Sequence, residues 1–176
     1  MKSTTNKYIY LNISACLCTL LLMGCGVYSL KSGSIPTEVK TISIDNVYNE
    51  VGGGPANISQ LFTEKIKSYY QQNSRLEIVK NNGDWQLEPK IVGYAITPVA
   101  PIGGSANTSS AYNRLTIRMQ TKFVNTLDEK ANFDQSFSFF YDYEKDKSLS
   151  SIEGQAIDEI SDKIVFDIFT KTASNW

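Results

Sequence analysis

Histidine is absent from all 176 residues. With it go the Ser-His-Asp and Cys-His triads, the common zinc sites and most proton shuttles that work near neutral pH. An enzyme built on this chain would have to run on carboxylates, lysine or tyrosine. Cysteine is nearly as scarce, three in total, with Cys16 and Cys18 inside an N-terminal apolar run and Cys25 just beyond it. No thiol follows Cys25, so the body of the chain forms no disulfide and is held by its hydrophobic core alone. A transmembrane-length apolar run is missing as well. Tyr8 to Met23 falls short of the ~20 apolar residues a spanning helix needs, and Asn12, Ser14 and Thr19 interrupt it. Excess positive charge is also lacking. The chain carries 17 basic against 18 acidic side chains and no basic block longer than a pair, which excludes nucleic acid as a partner.

What is present begins with the layout of a secretory signal: Lys2 and Lys7 without an acid, a short apolar segment, then Leu22-Met23-Gly24-Cys25. A cysteine directly after a small residue makes the expected reading a lipobox, although Met23 stands where Ala, Ser or Thr is more usual. Cleavage would fall before Cys25, whose thiol would carry a diacylglycerol and whose new amino group would be acylated. Two or three chains, each contributing roughly 0.8 kcal/mol per buried methylene, hold a protein stably at a membrane. Gly26 follows, with neither an Asp nor an acidic run behind it. The expected address is therefore the inner leaflet of an outer membrane, with the domain on the periplasmic side. Residues 1–24 are read as signal peptide, 25–36 as lipidated tether and 37–176 as a single domain. The mature chain would have 176 − 24 = 152 residues, and losing Lys2 and Lys7 leaves 15 bases against 18 acids, a balance of −3.

Along that domain, Val39 to Val47 reads as a strand with Ile42 and Ile44 alternating. Asn49 to Pro55, with three consecutive glycines, reads as a flexible connection. It lacks the lysine and spacing of a phosphate-binding loop. A helix from Asn57 to about Gln72 carries Ile58, Leu61, Phe62, Ile66, Tyr69 and Tyr70 on one face. A short strand, Arg75 to Val79, and the turn Asn81-Asn82-Gly83-Asp84 lead into a longer strand from Trp85 to Thr97. Pro89 within it argues for an edge position, a bulge or a break. Residues 98–110 read as a long loop with an apolar tip at Val99, Ala100 and Ile102. Leu115 to Phe123 and Phe133 to Glu144 then alternate as two strands of an antiparallel hairpin. A closing helix from about Ile152 to Thr172 completes an α+β two-layer sandwich: a four- to five-stranded mixed or antiparallel sheet with two amphipathic helices on one face.

The acids lie in turns or on solvated faces, where nothing raises a carboxyl pKa for acid-base work. No catalytic, metal or cofactor set is expected. The most suggestive residues are Arg114, Arg118 and Lys122, which a spacing of four puts on one strand face about 13 Å apart at ~3.3 Å per residue. Such a stripe could meet glycolipid phosphates or acidic groups of a protein. The plainer reading pairs it with Asp134, Asp142 and Glu144 across the hairpin, and that reading is the more common one.

Several segments resemble the LptE family of lipopolysaccharide-assembly lipoproteins. They are Cys25-Gly-Val-Tyr-Ser, Ile35-Pro36, Val39 to Ile44, Gly93 to Val99, Asn113 to Ile117, Lys122 to Thr126 and Phe133 to Ser138. The resemblance implies a non-enzymatic plug inside the LptD outer-membrane β-barrel that helps the barrel assemble and lipopolysaccharide reach the outer leaflet. It also implies lipopolysaccharide contact by basic residues of the sheet, for which Arg114, Arg118 and Lys122 are the candidates. The competing class is a periplasm-facing lipoprotein of similar fold acting as an accessory module for another envelope protein or polymer.

Overall fold

The computed structural model describes residues 35–99 and 112–173, all within one compact unit, Gly33–Trp176. Its elements run β1 (Thr41–Ile44), β2 (Tyr48–Asn49), α1 (Ile58–Asn73), β3 (Glu77–Val79), β4 (Trp85–Val99), β5 (Tyr112–Asn125), β6 (Phe133–Glu144) and α2 (Leu149–Ala173). They form the expected α+β architecture, one mixed sheet in the order β3-β1-β4-β5-β6, with β2 continuing beside β4 where β1 stops. β1 is parallel to both β3 and β4, whereas β4, β5 and β6 form an antiparallel meander.

Alternation decides which face is buried. In β5, Leu115, Ile117, Met119, Thr121 and Phe123 are at most 2% exposed, while Arg118 and Lys122 between them are exposed. The odd residues of β6 and Trp85, Leu87 and Ile91 of β4 join this inner face. Both helices cover it. α1 contributes Ile58, Phe62, Ile66 and Tyr70 at spacings of three and four, as its periodicity requires. α2 contributes Ile152, Ala156, Ile157, Ile160, Ile164 and Ile168. The two helices meet where Phe169 packs edge-on against Tyr69 and Tyr70 and the Tyr70 hydroxyl bonds Thr172 at 2.6 Å. Burial pushes that phenol well above its ordinary pKa, so it stays a neutral structural group.

β4 is central rather than an edge, and Pro89 sits within it. The carbonyls of Leu87 and Ile91 accept from the amides of Asp45 and Glu50, so Pro89, midway between them, turns its missing N–H toward the same neighbour. That neighbour is broken there, between the end of β1 at Ile44 and the start of β2 at Tyr48, so no ladder bond is forfeited. The bulge comes three residues later. Ile91 pairs with Met119 and Gly93 with Arg118, leaving Val92 extra and switching the inner positions of β4 from odd to even. Tyr94 thereby faces Glu153 of α2 and donates to its carboxylate at 2.6 Å.

The triglycine segment is packed rather than loose. Gly52 and Gly54 take positive φ, and a Cβ on Gly53 would lie 2.8 Å from the Cβ of Tyr94. Asn49 clamps the segment, accepting from the Gly52 amide and donating to the Gly53 carbonyl. β4 runs on through Pro98 and Val99, which pair with Asn113 and Tyr112, so the loop expected from residue 98 with Val99 in its apolar tip starts later. Ala100 and Ile102, like Cys25 and the signal segment, lie outside the described residues.

Candidate functional site

The sheet face turned away from the helices is the candidate site, and the burial of the inner face fixes which side chains reach it. β5 presents Arg114, Thr116, Arg118, Gln120 and Lys122 there. β6 presents Asp134, Ser136, Ser138, Phe140 and Asp142 in register with them. On the other flank, Lys122 faces Glu88, Gln120 faces Lys90 and Arg118 faces Gly93 of β4.

Register separates three cations that the spacing alone made equivalent. Arg114 is saturated. Its Nε and one terminal nitrogen reach the two oxygens of Asp142, each at 2.7 Å, and its guanidinium lies 3.6 Å from the centroid of Phe140. The bond to Asp142 raises the arginine pKa, and the same contact lowers that of the carboxylate. Lys122 is also committed, to Glu88 at 2.9 Å, and its pKa is raised by that bond. The expected partner across the hairpin, Asp134, accepts from Gln120 at 2.6 Å instead. The plainer reading therefore holds for Arg114 with Asp142, and Lys122 finds an acid on the opposite neighbour.

Arg118 differs. It stands between Gly93 and Ser138, neither of which offers a charge, and it makes no ion pair or hydrogen bond with another described residue. A Cβ on Gly93 would come within 3.1 Å of the Cβ of Arg118, so the glycine leaves room for the arginine to lie over bare backbone. Diagonal to it, Lys90 is exposed and likewise without an acid partner, and exposed Tyr48 is its neighbour in register. Sequence reasoning missed Lys90. The signal lay in β4 itself, where Gln86, Glu88 and Lys90 alternate with Trp85, Leu87 and Pro89. Two unpaired cations with serines, threonine and an aromatic ring on an exposed sheet can hold a phosphate or carboxylate through charge-assisted bonds. No group of three His, Cys, Asp or Glu side chains placed to hold a metal ion occurs among the described residues.

A family model described as LptE, lipopolysaccharide-assembly, matches residues 39–172. Comparison with curated proteins gives no match. Among solved structures, the chain is similar to an uncharacterized lipoprotein B from Nitrosomonas europaea, with a TM-score of 0.54 at 9% identity, covering 81% of this chain and 86% of that one. A minor lipoprotein from Acinetobacter baumannii gives a TM-score of 0.52 at 12% identity over 77% of this chain and 94% of that one. A hypothetical protein from Chlamydia trachomatis gives 0.53 at 9% identity over 76% and 98%. At such identities these likenesses speak for the fold alone.

Proposed function

The chain belongs to the LptE family of lipopolysaccharide-assembly proteins, and on that premise we propose that it is an outer-membrane lipoprotein that plugs and helps assemble an LptD-type barrel. In this reading Cys25 carries the acyl anchor, the domain faces the periplasm, and its uncovered sheet face attends lipopolysaccharide on its way to the outer leaflet. The family is a non-enzymatic one, and the work proposed here is binding and positioning, with no covalent step.

The observation that carries the glycolipid part of the reading is Arg118, an exposed guanidinium without an acid, with Lys90 beside it. Anionic groups of a glycolipid would meet these two, because Arg114 and Lys122 already spend their charge on Asp142 and Glu88. The cations are solvent-exposed, so the contact weakens as salt rises and the Debye length falls below ~10 Å. One arginine in an exposed pair contributes ~1 kcal/mol, and reversing its charge adds repulsion. The double change Arg118→Glu and Lys90→Glu is therefore expected to weaken lipopolysaccharide binding about tenfold at low salt while leaving the fold intact. Unchanged affinity would remove the glycolipid contact from the reading. The barrel partnership is tested separately, by mild-detergent co-purification of the protein from its own membrane. A large β-barrel recovered in equal amount supports the plug. Recovery of a different envelope component in its place would favour the accessory-module alternative.

A further inference from the structure

We propose that the pocket between Val39, Trp85, Phe123, Leu127 and Ala131 receives an acyl chain of an amine-headed phospholipid. The pocket encloses about 240 Å³ at the end of the sheet where β4 begins and β5 ends, closed by Ala173 at the end of α2. Its walls are built to be dry. Trp85 and Phe123 are each 2% exposed and pack edge to face at 5.2 Å. Two polar liners have their oxygens already engaged inside the protein. The Asn125 side-chain oxygen accepts from the amides of Leu127 and Asp128, while the Thr172 hydroxyl donates to the Phe169 carbonyl and pairs with Tyr70. A peptide backbone there would leave most of its own N–H and C=O groups unpaired against Val39, Trp85, Phe123 and Ala131, which is unfavourable. A hydrocarbon tail needs no partner.

The mouth supplies the second half of the match. Leu127 is 55% exposed, an apolar side chain with nothing covering it, and Glu38 and Asp128 stand at the rim. Glu38 makes no ion pair with a described residue, and Asp128 uses one oxygen on the Lys130 amide. Two carboxylates beside an apolar opening repel a purely anionic headgroup and favour an ammonium. The surrounding bilayer is the committed source, which rests on the reading of Cys25 as an anchored residue. Ten peptide steps separate Cys25 from Ile35, so the chain can span no more than about 35 Å between them, and Pro36 and Val39 form part of the pocket wall.

The test uses the full purified protein carrying Trp176→Phe, which leaves Trp85 as its sole tryptophan. Titration with decanoyl lysophosphatidylethanolamine below its micelle concentration should change Trp85 fluorescence saturably at one lipid per protein. Decanoyl lysophosphatidylglycerol should bind at least fivefold more weakly, and Glu38→Lys with Asp128→Lys should reverse that preference. Ala131→Phe, which fills the pocket from a surface turn, should abolish saturation. Leu127→Gln at the exposed mouth gives a second variant that does not depend on repacking, and it should weaken binding at least fivefold. No saturable change, equal response to both headgroups, or retained binding in Leu127→Gln would overturn the proposal, as would preferential saturation by a lysine-flanked apolar peptide. Intact mass of the mature chain reports acylation of Cys25 independently, so loss of the anchor reading and loss of the pocket are told apart.

Discussion

Replacing Gly83 by alanine should be among the most damaging single-methyl additions this domain can receive. Gly83 is buried in the turn before β4, and its φ is not in the left-handed region, so the penalty is steric rather than conformational. A Cβ there would lie 2.4 Å from the Ser43 amide nitrogen, 2.7 Å from the Ile42 carbonyl carbon and 2.7 Å from the Trp85 carbonyl oxygen. All three are backbone atoms of paired strands, so no side chain can swing aside. The methyl must push β1 away from the start of β4. That movement strains the parallel pairing of Ile42 with Trp85 and Ser43 with Gln86, together with the bonds from the Lys40 and Thr41 amides to Asp84. Overpacking typically costs 1–3 kcal/mol, and a clash confined to sheet backbone belongs at the upper end, so ~3 kcal/mol is expected. For a unit of this size that is a fall in Tm of roughly 12 °C, at about 4 °C per kcal/mol. Urea unfolding followed by circular dichroism measures it directly. Gly154→Ala is the matched control, because nothing lies within 4 Å of its added Cβ and the site is an exposed position of α2. A Gly83→Ala variant within 1 kcal/mol of the parent would refute the strand placement that puts this turn against β1.

Gly154→Ala itself should stabilise the protein by about 0.5–1 kcal/mol through helix propensity, read as a higher urea midpoint at unchanged m. Asp84→Asn should cost about 1 kcal/mol at neutral pH, since the carboxylate accepts the Lys40 amide at 2.8 Å and the Thr41 amide at 3.0 Å. Those bonds hold the Asp84 carboxyl below its ordinary 3.8, so its stabilisation is complete above that value and is lost as the pH falls through the lower folded one. Parent and variant stabilities should therefore converge on acidification below pH 3.8, and a gap that stays constant to pH 2 would contradict this account. Phe62→Ala, which empties a fully buried position of α1, should cost about 3–5 kcal/mol by thermal unfolding.

The helices and the hairpin were legible because a single period governs each. Spacings of three and four in α1 and strict alternation in β5 and β6 name the inner residues before any neighbour is known. α1 starts at Ile58 as its pattern requires, although the Asn57 side chain makes no capping bond. α2 begins at Leu149, three residues ahead of Ile152, where the periodicity placed its start. The first strand is shorter than its β-branched run, ending at Ile44, because Val47 leaves the ladder to give its amide to the Thr63 hydroxyl of α1 at 2.9 Å. That contact is tertiary, and no local pattern announces it. The Val92 bulge is of the same kind. A one-residue surplus becomes visible only when Ile91 and Gly93 are counted against Met119 and Arg118.

The site was legible as a stripe and illegible as a site for the same reason. Alternation puts Arg114, Arg118 and Lys122 on one face whatever lies beside β5, but the charge each retains depends on both flanking strands. β6 could be guessed as one neighbour, since a polar segment joins it to β5. The other neighbour is β4 with its bulge, and the bulge places a glycine rather than an acid opposite Arg118. Had Val92 been paired in the ladder rather than bulged out of it, it would stand opposite Arg118 and put a branched side chain where Gly93 has none. The free cation is thus a product of register. Deleting Val92 should close the bulge while keeping Gly93 opposite Arg118 and Tyr94 opposite Ile117, so the free cation and the Tyr94–Glu153 bond should both survive it, whereas a one-residue insertion after Val92 should displace both.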